Sequence, residues 1–265
     1  MSTTDLSGVV IGCLGACLVI YVWSPQVRHV GIRASGTVIG LALAIWGFIY
    51  PLKQYLKRAQ TAGSVARGSL DHVMGRIWLG AGLAGVALLG TWGSVQWAPK
   101  WAAELAKGTS TYAKEYTQIA SAGGAVFGTI AAALACGRLG RRLTYALLCL
   151  GTIGVAIFFY QFNDGFGPLF LVSIFMFGSI SAAFYGFFPL YFPELFPTCI
   201  RATAQGFAYN FGRVLAAVGS LQTATLIGLF QGSVTTTGSV MSAIYLIGLV
   251  LIWFAPETRG QPLPE

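Results

Sequence analysis

Apolar residues run along this chain in long blocks separated by short polar connections. A bilayer-spanning helix needs about 20 mostly apolar residues. Eight blocks approach or exceed that length: 7–23, 36–52, 77–97, 117–136, 143–162, 168–190, 203–229 and 238–255. The pattern predicts an all-α, polytopic membrane protein with about eight transmembrane helices. The second block is short if it stops at Pro51. The fifth and sixth are parted by the turn-rich run Asn163-Asp164-Gly165-Phe166-Gly167-Pro168. The opening Met-Ser-Thr-Thr-Asp has no basic residue, and no small-x-small site follows the first block. It does not read as a cleaved leader.

Composition agrees with that pattern. Charged residues make up 9% of the chain and hydrophobic ones 55%, with mean hydropathy +0.71. A soluble domain carries about 25% charged residues, so a soluble enzyme, a disordered chain and a nucleic-acid binder are all disfavoured. The net charge of +8 reads as a basic cytoplasmic face, with the lipid bilayer as partner and no nucleic acid. With eight crossings both termini share a side. If they are cytoplasmic, that side holds Lys53, Lys57, Arg58, Arg67, Arg76, Arg138, Arg141, Arg142, Arg201 and Arg259. The other side holds Arg28, Arg33, Lys100, Lys107 and Lys114. This bias predicts cytoplasmic termini in a cell or inner membrane.

The longest cytoplasmic connection, 53–76, is basic and contains Gly63, Ser64, Gly68 and Ser69. It reads as a linker. A transmembrane helix pair over 1–52 precedes it, and a six-helix bundle over 77–256 and a tail over 257–265 follow. Gly8/Gly12, Gly36/Gly40, Gly124/Gly128 and Gly228/Gly232 have the spacing that lets membrane helices approach closely. Cys13, Cys17, Cys136, Cys149 and Cys199 form no C-x-x-C pair and read as small apolar residues. His29 and His72 fall in polar connections. No metal, cofactor or catalytic residue is expected. In particular, a membrane serine protease needs a helix-borne His, and a metalloprotease needs ligands within the bilayer.

Three polar segments mark the six-helix part. Gly137-Arg138-Leu139-Gly140-Arg141-Arg142 is a tight basic turn. Pro193-Glu194-Leu195-Phe196-Pro197-Thr198-Cys199-Ile200-Arg201-Ala202-Thr203 joins the sixth and seventh helices, and Pro256-Glu257-Thr258-Arg259-Gly260 follows the last. Together they resemble the C-terminal half of a major facilitator superfamily transporter of the sugar-porter-like or organic-solute type, over about 77–260. The turn resembles the family's G-x-x-x-D-R-x-G-R-R, the second segment its E-L-F-P-T-x-x-R-x-T loop, and the third its P-E-T-K-G ending.

The resemblance implies secondary active or facilitative transport of a small organic solute by alternating access. A complete member has about twelve helices in two six-helix halves. With 265 residues, the chain reads as a fragment or half of a full carrier whose partner is a missing N-terminal six-helix half. The first two helices then read either as the last pair of that half or as an inserted pair. A non-transporting remnant, or a subunit that pairs with a separate N-terminal half, is the alternative. Gly137 stands where the family has Asp, and Ala133 where it has the leading Gly. That removes one acid from the family's cytoplasmic charge lock.

The resemblance implies a cytoplasmic gate at Arg138, Gly140, Arg141, Arg142, Glu194, Arg201, Glu257 and Arg259. Guanidinium forks would pair with Glu194 or Glu257 in one state and release in the other. Anchoring to lipid phosphates is the simpler role for these arginines. Glu194 and Arg201 are seven residues apart, so they pair with each other or cross to the basic turn.

Candidates for the substrate pathway are Trp92, Gln96, Gln118, Tyr185, Tyr209, Asn210 and Arg213. Ser121 is a further polar position, and interhelical hydrogen bonding is the competing role for most of them. Arg213 lies inside the seventh block, where it either faces a water-filled pathway and favours an anionic solute or belongs to the gate. Trp97 and Trp101 suit an interfacial aromatic belt, and Trp92 shares that simpler reading. No carboxylate is expected inside any helix, so a proton site in this half is disfavoured.

Overall fold

The structure is a computed structural model that describes residues 3–24, 26–63 and 70–265. Ser64, Arg67, Gly68 and Ser69 of the expected linker, and the Met1–Ser2 start, lie outside the described residues. Within them the regular structure is helical and contains no strand. In chain order the helices are α1 (Thr3–Val22), α2 (Val30–Thr61), α3 (Leu70–Gly93) and α4 (Ala98–Leu105). Next come α5 (Ala113–Leu139), α6 (Arg141–Gln161), α7 (Pro168–Ala182) and α8 (Phe184–Leu195). The chain ends with α9 (Arg201–Leu229), α10 (Val234–Ser242) and α11 (Ile244–Leu251).

Seven helical runs among the described residues are long and apolar enough to cross a membrane. α9, 29 residues long, is also long enough to span. The protein is a polytopic helical membrane protein. Three crossings are broken in mid-course: α3 leads into α4, α7 into α8, and α10 into α11.

Several local expectations need correction. α2 does not stop at Pro51 but runs through it to Thr61, past the expected boundary at 52. Membrane helices tolerate proline where neighbours and local adjustment satisfy the freed carbonyl. α3 ends at Gly93, where the Ser94 hydroxyl donates to the Gly90 carbonyl at 2.7 Å. Pro99 then opens α4, a position where its missing N–H costs nothing. α4 packs on α5, which carries Trp101 inward. Trp101 is 7% exposed and lies 5.3 Å from Phe159 and 5.4 Å from Phe170, so it is a core residue, not a belt residue. His72 sits in the first turn of α3, and His29 caps α2. Carboxylates do lie inside helices, but only near their ends: Asp5, Asp71 and Glu115 in first turns, Glu104 and Glu194 one residue before α4 and α8 stop.

Small residues and buried tyrosines hold the bundle together. Gly124 and Gly128 of α5 press on the backbone of Phe175 and Ser179 in α7, closer than any side chain would allow. Such contact gives close van der Waals packing where lipid supplies no hydrophobic drive. Between α1 and α2, Gly8 and Gly40 meet the backbone of Gly47 and Gly15, and Gly12 and Gly36 make room for the Phe48 and Val22 side chains, whereas Gly228 faces open space. Two buried phenols tie α6 to the third crossing: Tyr145 donates to the Leu83 carbonyl and Tyr160 to that of Ser94, each at 2.8 Å.

Candidate functional site

Two polar features stand out: a charge cluster at one end of the bundle and a cavity within it. The cluster is built on the α5–α6 turn. Gly140 has φ +90°, a conformation glycine adopts without strain, and the chain reverses there so that α6 starts at once with Arg141. The free N–H groups at that helix start attract an anion. Glu257 supplies it: Oε1 accepts from the Arg141 N–H at 2.9 Å and Oε2 from the Arg142 N–H at 3.0 Å. The Arg259 N–H also donates to Glu257, at 3.0 Å. Partial burial pushes the Glu257 carboxyl up. The three backbone donors and the Arg141 charge outweigh it and hold the group below the usual carboxylate value.

The Arg141 side chain reaches across to α8. Its Nε donates to Glu194 Oε2 at 2.8 Å and its Nη2 to Oε1 at 2.5 Å. Its Nη1 donates to the Cys136 carbonyl at 2.7 Å. Glu194 also accepts from the Thr258 hydroxyl at 2.6 Å. Arg142 donates to the Ala255 carbonyl at 2.6 Å and Tyr191 to that of Pro256 at 2.8 Å. Arg201 is not paired with Glu194. It donates to the carbonyls of Pro193 at 3.0 Å, Phe196 at 3.2 Å and Pro264 at 2.8 Å. It thereby closes the α8–α9 loop over the tail. Arg138 is exposed and in no ion pair among the described residues, and Gly137 beside it faces open space. The Arg259 side chain is also exposed, so its contribution is its backbone.

Of the expected gate residues, Gly140, Arg141, Arg142, Glu194 and Glu257 therefore converge. Arg201 acts one layer away and Arg138 stands apart. Thr258, Tyr191 and Arg76, whose Nη1 donates to the Leu195 carbonyl at 2.9 Å, join the same end although none was among the expected gate residues. A hydroxyl or a lone arginine beside a motif carries no signal of its own.

The cavity, about 790 Å³, lies among α3, α5, α7, α8 and α9. Trp92, Gln96, Gln118, Tyr185, Tyr209 and Arg213 all line it, together with Ser121. Asn210 does not. It faces a separate groove beside α2, and its amide donates to the Gly206 carbonyl at 2.8 Å. Arg213 sits twelve residues into α9, about 18 Å along the helix. Its guanidinium lies over the Tyr209 ring, 5.0 Å from the centroid, and is exposed to the cavity. Arg213 is the one charged residue among the described residues lining that space. Thr91 and Ser181 also line the cavity, but the Thr91 hydroxyl is spent on the carbonyls of Ala87 and Ser181, a helix-to-helix link.

A multi-pass helical bundle with a mostly apolar internal cavity carrying a few polar groups, and a charge-clamped end, has the architecture of a membrane carrier. The sequence profile of the family described as sugar (and other) transporter matches residues 107–265. The chain belongs to that family, within the major facilitator superfamily. It is 38% identical to the cis,cis-muconate transport protein of Acinetobacter baylyi over 143 residues, 52% of this chain and 32% of that protein. It is 30% identical to a protein named as a 4-methylmuconolactone transporter of Cupriavidus pinatubonensis, over 46% of this chain and 28% of that protein. A protein named for metabolite transport in Haemophilus influenzae is 25% identical over 96% of this chain and 64% of its own length. The chain thus spans about a third of the first two relatives.

Proposed function

We propose that this chain forms the C-terminal half of an alternating-access carrier for a small organic anion. The observation that carries this reading is the placement of Arg213. A single guanidinium, backed by the Tyr209 ring, faces a cavity with no carboxylate among the described residues lining it. A charge at that depth is costly unless something uses it. A carboxylate solute would neutralise it by a charge-assisted, forked hydrogen bond. Trp92, Tyr185 and Tyr209 offer flat apolar surface to an unsaturated or aromatic skeleton, and Gln96 and Gln118 offer further hydrogen bonds. The relatives named for muconate and methylmuconolactone are consistent with such a cargo.

In this reading the Arg141–Glu194–Glu257 cluster is the cytoplasmic gate, and both termini lie in the cytoplasm. The helix pair over 1–52 and the linker over 53–76 lead into the transporter bundle over 77–256. An N-terminal six-helix half closes the open side of the cavity and carries any proton site.

The test is a ligand panel on the purified chain in lipid nanodiscs, read by thermal shift. Flat carboxylates should raise the unfolding temperature in proportion to occupancy. Neutral sugars and organic cations should not. Stabilisation by sugars alone would overturn the anion reading.

A further inference from the structure

The second large space in the molecule matches the first in size and is about as apolar, but its polar groups are distributed differently. It is a groove of about 800 Å³ between α9 and the α1–α2 pair. Its polarity is confined mostly to one end. Val9, Phe48, Leu52, Phe207, Phe211 and Val214 make its length apolar, while Asp5, Tyr55, Arg58 and Thr203 gather at its mouth. Of the lining polar groups, Asn210 alone lies further in, and its amide is already bonded to its own helix. The central cavity, by contrast, carries polar groups on several of its walls. A water-soluble solute fits the central cavity. The groove has the polarity of an amphiphile.

Its dimensions point the same way. Its apolar part runs along α9 from Thr203 to Val214 and along α2 from Phe48 to Arg58, about 15 Å in each case, and Ala59 and Ala62 continue the groove past Arg58. That is the hydrocarbon depth of one leaflet, half of the roughly 30 Å core. The mouth lies at the end where the α8–α9 loop emerges, since Tyr55 donates to the Cys199 carbonyl at 3.1 Å. It is therefore at headgroup level.

The mouth holds a prepared cation. Arg58 Nη2 bonds Asp5 Oδ2 at 2.5 Å, and Nε bonds the Gln54 carbonyl at 3.2 Å. These two bonds fix the guanidinium plane. Its Nη1 has no acceptor among the described residues, and the Arg58 side chain is 53% exposed. Lys53 and Lys57, exposed on the same turns of α2, add positive potential at that level.

We propose that this groove seats one phospholipid of the leaflet facing the α8–α9 loop. An acyl chain lies along Phe48, Phe207, Phe211 and Val214, and the phosphate is held by Arg58. The lipid fills the groove between α2 and α9. It thereby joins the α1–α2 pair to the six-helix bundle. This assignment rests on the membrane architecture and not on the transported solute.

The experiment is native mass spectrometry of the full chain released from detergent, with phosphatidylglycerol and diacylglycerol of identical chains as competing probes. Wild type should retain one phosphatidylglycerol and prefer it over diacylglycerol. The double variant D5N/R58Q removes the cation without stranding a buried carboxylate. It leaves the net charge of the mouth unchanged, and it should lose about fivefold in that preference, the magnitude of one net hydrogen bond from the guanidinium to the phosphate. V214W, which fills the apolar length and leaves the charges intact, should lose both lipids. Circular dichroism identifies variants that fail to fold. For those, a photoreactive benzophenone at position 214 of the otherwise wild-type chain gives the answer, and it should crosslink to lipid. Equal retention of both probes by wild type, unchanged phosphatidylglycerol preference in folded D5N/R58Q, or crosslinking of position 214 to a polypeptide would each overturn the assignment. The last outcome would make the groove a seat for a helix.

Discussion

Arg141 and Glu194, 53 residues apart in sequence, meet fork to fork, with two parallel hydrogen bonds of 2.8 and 2.5 Å. Their side chains are only 11% and 15% exposed. A pair so placed gains from geometry what it loses in desolvation, and breaking it by removing one partner is costly. Arg141→Ala should destabilise the protein by about 3 kcal/mol, because Glu194 then keeps only the Thr258 hydroxyl. Arg141→Lys should cost roughly half as much, since an ammonium cannot reproduce the fork. R141A/E194A should be more stable than R141A alone. Arg138→Ala, at an exposed position, should change stability by no more than about 0.5 kcal/mol. Denaturant titration in detergent micelles measures all four. If Arg138→Ala matched Arg141→Ala, the cluster would not be the structural joint of this end.

Glu257 sets the acid limit of the same joint. Its carboxyl is held below the usual value in the folded protein. The unfolded chain therefore binds its proton first as pH falls. The stability that Glu257 contributes is fully present above the unfolded value, about 4.3 for a free glutamate. It is lost as pH drops from there through the lower folded value. Between about pH 6 and pH 3 the unfolding temperature should fall more steeply for wild type than for Glu257→Gln. Parallel curves would show that the helix-start anion contributes nothing.

Gly140 couples the turn to that carboxylate. At φ +90° an L residue is strained, and a Cβ there would stand 3.0 Å from Glu257 Oε2. Gly140→Ala should cost about 1–2 kcal/mol. The conformational part of that cost is independent of Glu257, and the steric part is not. G140A/E257A should therefore be less destabilised than the sum of the single changes. Strict additivity in denaturant titration would place the whole cost in the backbone.

Much of this was legible in the sequence because bilayer physics is so restrictive. A block such as 143–162 has few alternatives to a helix, and α6 occupies Arg141–Gln161. The basic turn and the Glu194 and Glu257 segments were marked by their motifs, and pairing between them was expected, but not which arginine takes which carboxylate. Arg201 was a plausible mate for Glu194 at two helical turns. The Pro193 and Pro197 bend instead aims it at carbonyls, where it closes its own loop. Spacing along a chain cannot foresee a choice made by three-dimensional proximity. Asp5 with Arg58 had no signal at all, being 53 residues apart with no shared motif. Trp101 was misplaced because its block looks interfacial until Pro99 turns α4 inward. Asn210 and Arg213 lie three residues apart on one helix, yet only Arg213 lines the central cavity. The helix rotation that separates them depends on what α9 packs against.

Arg213 gives the sharpest test of the anion reading. Its side chain is exposed to the cavity and sits over Tyr209 at 5.0 Å, and it forms no ion pair among the described residues. Removing its charge should therefore spare the fold. Arg213→Gln should leave the unfolding midpoint within about 0.5 kcal/mol of wild type. It should also weaken binding of a flat carboxylate by roughly 10- to 100-fold, the loss of a hydrogen bond to a charged group. Arg213→Lys keeps the charge without the planar fork and should fall between the two. Tyr209→Leu removes the ring beneath the guanidinium, a contribution of about 0.5–1 kcal/mol at an exposed site. It should weaken binding only severalfold. Binding of a neutral ligand of the same shape should be unaffected by the two Arg213 changes, because neither alters the aromatic walls, whereas Tyr209→Leu should weaken it too. Calorimetric titration of the purified variants separates these outcomes. If Arg213→Gln bound every carboxylate as tightly as wild type, Arg213 would have no role in recognition. The cavity's selectivity would then have to come from its amides and aromatic rings.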